Sequence, residues 1–299
     1  MSDGPGPLIE RAIEPKSKLD AQKLSAALDA LAAHDRTFWV SLDPASDQTI
    51  IKGISIRQLD RVIARISAEF DVTVVVGSPQ IAYREKFTRA IEIDHTHKKQ
   101  IGGAGEFARL RLRFEPLPTG SGYEVVNDTR AGAIPRSCVP GVERGLDAAR
   151  ENGIIAGYPI VDFRATLVDG AYHEVDSTAH TFEIATRSAM RTLKDRNVLA
   201  VYEPIMNVQI MTPDDCLGGV ISDLNARTGQ VQGVDAQGDE QRITAIAPLR
   251  NLLDYDEKLS ALSRGRATAT TAFSHYDRVP PGLFDHDPPP FRPAAAKRA

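Results

Sequence analysis

The residues here whose types and spacing could do chemistry are a glycine cluster, a few histidines and their neighbouring carboxylates. Gly102-Gly103-Ala104-Gly105 looks superficially like a dinucleotide loop. That chemistry needs a helix opening directly behind the glycines, so that its N-terminus faces a pyrophosphate. An alternating segment follows instead, Phe107–Glu115, with Leu110, Leu112 and Phe114 on one face. The glycines therefore read as the tip of a β-hairpin. His95, His97, Lys98, Lys99 and Gln100 precede them and Glu106 follows. A basic, donor-rich tip of this kind suits contacts with phosphate and sugar.

His173 stands in Asp169-Gly170-Ala171-Tyr172-His173-Glu174-Val175-Asp176-Ser177. A general acid–base reading pairs it with Glu174 or Asp176, but no nucleophile or oxyanion arrangement accompanies it. The commonplace reading makes Asp176 and Ser177 the caps of a helix and His173 an exposed loop residue. A third reading makes His173 a polar probe presented to a partner. His95 and His97 form a His-x-His pair without a third ligand at useful spacing, so no metal site is expected. A phosphate-cradling P-loop requires Gly-Lys before Ser or Thr, and no Gly-Lys pair occurs in the chain. Neither a cofactor nor nucleotide hydrolysis is expected. Asn127-Asp128-Thr129 matches a glycosylation sequon, which carries no meaning in a cytosolic chain.

The elements that must position these residues fall into three modules. At 299 residues the chain is long enough for two or three cores. Its 42% hydrophobic and 25% charged composition is that of a globular protein. No apolar run reaches the roughly 20 residues of a membrane span, and the opening residues are not a signal peptide. Cys138 and Cys216 stand far apart, as reduced thiols of a cytoplasmic protein. The net charge of −4 excludes binding of nucleic acid by bulk charge alone. Any RNA contact must come from a local patch.

The first module, residues 1–78, reads βαββαβ. A strand over Pro7–Glu14 precedes a helix over Lys18–Ala33, and a hairpin turns at Asp43–Asp47. A second helix carries Leu59, Val62, Ile63 and Ile66, and a strand over Asp71–Val76 closes the module. Residues 201–280 repeat that order: a strand over Glu203–Met211, a helix ending near Gly229, strands over Gln230–Val234 and Arg242–Pro248, a helix over Leu249–Ser263 and a strand over Ala267–Tyr276. Between them, residues 79–200 predict long strands, Phe107–Glu115 and Ile160–Val168 among them. This part also predicts a helix over Pro140–Asn152 and a second one capped by Asp176-Ser177. Residues 281–299 are Pro-rich and read as a disordered tail. The expected class is α+β, with two ferredoxin-like βαββαβ domains flanking a different α+β domain.

Several strings, in order, carry a closer resemblance. They are Ile13-Glu14-Pro15-Lys16, Gly132-Ala133-Ile134-Pro135 with Pro140-Gly141-Val142, Ala156-Gly157-Tyr158-Pro159, Tyr172–Ser177, Tyr202-Glu203-Pro204-Ile205-Met206 and Phe273-Ser274-His275-Tyr276. From about Ile9 to Pro280 the chain resembles domains III, IV and V of bacterial elongation factor G, the translocation GTPase. The resemblance implies ferredoxin-like domains III and V around a domain IV related to a ribosomal-protein fold. It further implies that this arm enters the decoding site of the small ribosomal subunit, where its tip meets tRNA and messenger RNA. The tip would be built from Lys99–Phe107 and His173–Ser177. Carried over with the flanking lysine, the RNA-facing residues would be Lys98, Lys99, Gln100, Gly102, Gly103, Gly105, Glu106, His173, Asp176 and Ser177.

The departures are specific. The family's GTPase domain and domain II are absent. Its Gly-Met-Gly-Glu-Leu-His-Leu-Glu, which faces the GTPase core, is here Gly53-Ile54-Ser55-Ile56-Arg57-Gln58-Leu59-Asp60. Its Gly-Gly-Arg-Gly-Gln is Gly102-Gly103-Ala104-Gly105-Glu106, losing an arginine and gaining an acid. Its Phe-Gly-Tyr is Leu253-Asp254-Tyr255. The loss of the GTPase-facing motif favours a diverged stand-alone paralogue over an excised fragment, because a fragment of a working factor should keep it. The leading expectation is a ribosome-binding module without its own GTP hydrolysis, with a GTPase domain in trans as a further partner. The alternatives are a non-ribosomal protein-interaction scaffold and a small-molecule enzyme using His173.

Overall fold

In a computed structural model, residues 6–43, 48–101, 104–280 and 282–283 are described. Most of the expected turn at Asp43–Asp47, Gly102, Gly103 and nearly all of the expected tail lie outside them. The molecule divides into two compact units. One takes the described residues up to Ala82 together with Glu203–Asp277, and the other takes Tyr83–Tyr202 with the segment from Arg278.

Both βαββαβ modules fall in the first unit. The N-terminal one runs β1 (Ile9–Pro15), α1 (Lys18–His34), β2 (Trp39–Asp43), β3 (Gln48–Gly53), α2 (Ile56–Phe70) and β4 (Val74–Val76). Its sheet order is β2-β3-β1-β4, antiparallel throughout. Serines define both helix starts: Ser17 Oγ accepts the Asp20 N–H, and Ser55 Oγ accepts the Gln58 N–H. Each satisfies one of the N–H groups that a helix leaves open at its start. Leu59, Val62 and Ile66 of α2 are buried with Ile9, Ile13 and Ile51 of the sheet, the face that helical spacing singles out. The closing strand is shorter than expected. Asp71 takes a left-handed conformation (φ 52°) that ends α2, so pairing starts only at Val74. A two-residue strand, β5 (Gln80–Ile81), then pairs with β1.

The second βαββαβ module has β11 (Leu199–Pro213), α5 (Leu217–Ala226), β12 (Gln230–Gln237), β13 (Glu240–Pro248), α6 (Tyr255–Ser263) and β14 (Thr268–Arg278). Its order, β12-β13-β11-β14, is the same permutation as in the first sheet. Val208, Ile210, Val220, Leu224, Ile243, Ala245 and Leu259 form its core. The expected helix over Leu249–Ser263 is broken: a 3-10 turn covers Leu249–Asn251, and α6 begins only after Asp254.

The second unit is the α+β arm. β6 (Arg84–Phe87) pairs with the start of β11. β7 (Ile91–Ile101), β8 (Ala104–Pro116), β9 (Tyr123–Asn127) and β10 (Phe163–Ala171) form a sheet of order β7-β8-β10-β9. β9 and β10 run parallel, and the crossover between them contains α3 (Val139–Asn152). α4 (Ala179–Arg191) packs beside α3, and Leu110, Leu112, Phe114, Leu146, Phe163, Phe182 and Met190 are buried in the common core. The two helices approach closely because α3 offers glycines. A Cβ at Gly141 would lie 1.9 Å from the Ala179 carbonyl oxygen.

Two expectations shift here. The strand placed at Ile160–Val168 runs Phe163–Ala171, because Asp162 (φ 56°) is a corner whose carboxylate accepts the N–H groups of Gly120 and Gly122. The helix cap is Thr178, whose hydroxyl accepts the Thr181 N–H, so Asp176 and Ser177 are not caps.

Candidate nucleic-acid interface

Strand alternation sorts the hairpin residues before any contact is considered. On β7, Ile91, Ile93, His95, His97 and Lys99 share the face that packs toward α4, and Asp94, Thr96, Lys98 and Gln100 take the other. The register pairs Lys98 with Phe107, Lys99 with Glu106, Gln100 with Gly105 and Ile101 with Ala104. The two lysines therefore lie on opposite faces of one ribbon and do not make a single basic patch. Gly102 and Gly103, between the paired ends, lie outside the described residues.

The acid gained at the tip has a partner. Glu106 Oε2 stands 2.9 Å from His97 Nε2, a diagonal contact on the α4 side of the ribbon. The hydrogen bond with His97 holds the Glu106 carboxyl below its ordinary value, with the charges of Lys99 and His180 adding to the effect. His95, one step deeper, is pushed down chiefly by burial and secondarily by the charge of His97. His95 and His97 are thus neighbours on one face, but no group of three His, Cys, Asp or Glu able to hold a metal occurs among the described residues.

The second loop is fastened to the hairpin by backbone. The Phe107 N–H donates to the Asp176 carbonyl at 3.0 Å, and Ser177 Oγ donates to the Phe107 carbonyl at 2.6 Å. The same hydroxyl accepts the His173 N–H at 2.9 Å, while the Ser177 N–H donates to the His173 carbonyl at 3.1 Å. Ser177 is the rivet of the tip, which is why it is unavailable to cap α4. Gly105 leaves room for the loop: a Cβ there would lie 2.6 Å from the Asp176 carboxylate. Asp176 Oδ2 in turn stands 3.1 Å from His173 Nδ1, and the His173 side chain remains 59% exposed.

The structure therefore brings Gly105, Glu106, His173, Asp176 and Ser177 into one surface, with Lys98, Lys99 and Gln100 running along the adjoining ribbon. His173 faces solvent beside a carboxylate, with no Ser, Thr or Cys nucleophile hydrogen-bonded to its ring among the described contacts. Three features escaped the sequence reading. They are the His97–Glu106 pair, the half-exposed Tyr172 ring and Val175, which is 81% exposed at the loop's crest. A hairpin register centred on Gly102-Gly103 would have predicted the first. The outer face of the arm sheet is a ladder of compensated charge: Arg109 on Asp94, Arg111 and Arg113 on Glu92, Arg164 on Glu124.

The segment Gly53–Asp60 is committed inside the first unit. Gln58 is buried. Its side-chain amide donates to Asp35 and Thr37, and its oxygen accepts the Ile54 N–H. Asp60 pairs with Arg11, and Arg57 with Asp256.

Comparison with known proteins covers nearly the whole chain. Residues 4–78 match the family "Elongation Factor G, domain III", residues 79–195 match "Elongation factor G, domain IV", and residues 200–286 match "Elongation factor G C-terminus". Elongation factor G of Hyphomonas neptunium is 51% identical over 276 residues, which is 92% of this chain and 39% of that protein. A crystal structure of a Thermus thermophilus protein superimposes with a TM-score of 0.67 at 31% identity, covering 95% of this chain and 42% of that one. The chain spans about two fifths of the length of these relatives.

Proposed function

The chain belongs to the elongation factor G family, carrying that family's domain III, domain IV and C-terminal region in order, and we propose that it docks on the ribosome without hydrolysing GTP itself. It is a translation-factor module by descent. The observation that carries the docking reading is the tip: two loops, about 70 residues apart in sequence, are riveted through Ser177 and Phe107 into one polar surface. A ladder eleven residue pairs long, backed by a buried hydrophobic core, stands behind that surface. Such a probe keeps its shape on contact, so little ordering entropy opposes binding.

Recognition follows from what the tip presents. Lys98 and Lys99 supply cations to opposite sides of the ribbon, suited to phosphates on either flank of a narrow RNA site. Gln100 and His173 supply hydrogen-bond groups for sugar or base edges, and Tyr172 supplies a ring face on which a base can stack. Gly105, Asp176 and Ser177 position the loop, and Glu106 holds His97. The partners are small-subunit RNA with tRNA and messenger RNA at the decoding site, with a GTPase domain acting in trans. The missing Gly-Lys pair supports a role without P-loop nucleotide hydrolysis by this chain. The place of action is the cytoplasm, with the ribosome. No helix among the described residues is long and apolar enough to cross a membrane.

Co-sedimentation of the chain with ribosomes at low salt tests this directly. The wild-type chain is expected in the ribosomal pellet, and Lys98→Gln/Lys99→Gln/His173→Ala is expected in the supernatant. Failure of the wild-type chain to pellet, with recovery of a defined non-ribosomal protein in a pull-down, would transfer the assignment to a protein-interaction scaffold.

A further inference from the structure

α4 carries a second charged feature, at the end remote from the tip. Its buried side is Phe182, Ala185, Thr186, Ala189 and Met190. Arg187 and Arg191 lie one turn apart on the opposite, exposed side, and Lys194 and Arg196 continue it through the 3-10 turn Thr192–Arg196. Exposed Arg89, in the β6–β7 turn, is brought alongside: its guanidinium donates to the Arg196 carbonyl at 3.3 Å, and the Thr88 N–H donates to the Val198 carbonyl. The segment Thr192–Arg196 contributes one carboxylate, Asp195.

What distinguishes this cluster is that its charge is uncompensated. None of the five cations has a carboxylate within 4.0 Å among the described residues, whereas the arginines on the outer sheet face of the same unit are paired. On the neighbouring α3, Asp147 and Glu151 pair with Arg150, and exposed Glu143 lies more than 4.0 Å from each of the five cations. In a chain of net charge −4, five cations without an ion-pair partner among the described residues form a local field of the opposite sign.

We infer that Arg89, Arg187, Arg191, Lys194 and Arg196 form a second RNA-backbone surface at the root of the arm. Its first cation, Arg187, stands about 12 Å along α4 from the helix start beside the tip loop, and Arg191 closes the helix. The successive cations on α4 stand about 6 Å apart along the helix axis, a spacing that lets a row of side chains follow consecutive phosphates of one strand. Arginine forks match phosphate oxygens two at a time. The choice of RNA over an acidic polypeptide rests on this spacing and on the ribosome-docking reading. The surface itself needs no contribution from the tip.

The test is fluorescence anisotropy of the full chain with a labelled structured RNA hairpin across a salt series. Arg187→Gln/Arg191→Gln/Lys194→Gln keeps helix-forming side chains and removes three cations. Its slope of log affinity against log salt is expected to be shallower by about 2 to 3, with circular dichroism unchanged. The tip variant Lys98→Gln/Lys99→Gln, measured separately, reports on the docking reading alone. If only the tip variant loses slope, the root surface is refuted while docking stands. If only the root variant does, the reverse holds. Tighter capture of poly-glutamate than of RNA by the wild-type chain, lost in the root variant, would overturn the assignment to RNA.

Discussion

Gly105→Ala isolates the geometry of the tip from its charge. A methyl group at this position would lie 2.6 Å from the Asp176 carboxylate, well inside contact distance. Two responses are open. The carboxylate can rotate away, giving up its 3.1 Å contact with His173. Otherwise the whole loop lifts, giving up the Phe107 N–H bond to the Asp176 carbonyl. Overpacking in a well-packed site costs about 1–3 kcal/mol, and a rotating short side chain keeps this case near the low end, about 1–2 kcal/mol. The free energy of local opening falls by that amount, so amide exchange at Phe107 should accelerate roughly 5- to 30-fold. Exchange at Leu112, in the middle of β8, should stay unchanged. Asp176→Ala in the same background removes the clash and should recover part of the loss, a coupling above about 0.5 kcal/mol. Exchange at Phe107 within a factor of two of wild type would show that the loop is not held by this contact.

Glu85 is fully buried, and its carboxylate accepts the N–H groups of Ile154, Ile155, Ala156 and Tyr158 at 2.8–3.3 Å. Glu85→Gln turns an amide donor against those donors and should cost about 2–4 kcal/mol in urea unfolding of the arm unit; a loss below about 1 kcal/mol would contradict the assignment. Asp35 is held below its ordinary value, first by the Thr37 hydroxyl. Its folded carboxyl is the stronger acid, so its stabilisation is present above the ordinary carboxylate range and is lost as pH falls through the folded value. Acid titration of the first unit's urea midpoint should show this as a fall below about pH 4, and Asp35→Asn should flatten it. Arg264 ends α6 in the left-handed region, φ 53°. Arg264→Gly should therefore raise stability by about 0.5–1 kcal/mol, read as a small rise in melting temperature.

The fold was legible where one face of an element decides its fate. Leu59, Val62 and Ile66 mark α2 because three-to-four spacing puts them on one stripe, and that stripe is the one buried. Leu110, Leu112 and Phe114 mark β8 by alternation in the same way. Boundaries set by distant partners were not legible. Asp162 begins β10 only because Gly120 and Gly122 return to its carboxylate. Asp176, Ser177 and Thr178 could all cap a helix, and the decision falls to Thr178 because the hairpin claims Ser177. At the site, the order of residues placed Lys98 to Glu106 on one hairpin. Their division between two faces needed the register. The basic row at Arg187, Arg191 and Lys194 was readable at helical spacing, and what the sequence lacked was the location of the carboxylates that leave it unpaired.

The segment Gly53–Asp60 buries Gln58 and Leu59 and leaves Arg57 and Asp60 exposed at its surface. Its four polar side chains have partners within the first unit: Ser55 caps α2, Arg57 meets Asp256, Gln58 bonds Asp35 and Thr37, and Asp60 meets Arg11. Gly53 cannot be enlarged without striking Gln58 and Leu59 at 2.7–2.9 Å, so the loop and the buried amide constrain each other. Any domain reading this surface in trans must bind its backbone or displace these bonds, each worth about 0.5–1.5 kcal/mol. The outward pairs, Arg57–Asp256 and Arg11–Asp60, are the ones a partner could displace at low cost, because exposed ion pairs contribute about 0–1 kcal/mol. The Gln58 network could be displaced only by opening the helix start. A GTPase domain working with this chain would therefore find its grip at Arg57 and Asp60, with Gln58 fixing the loop that presents them.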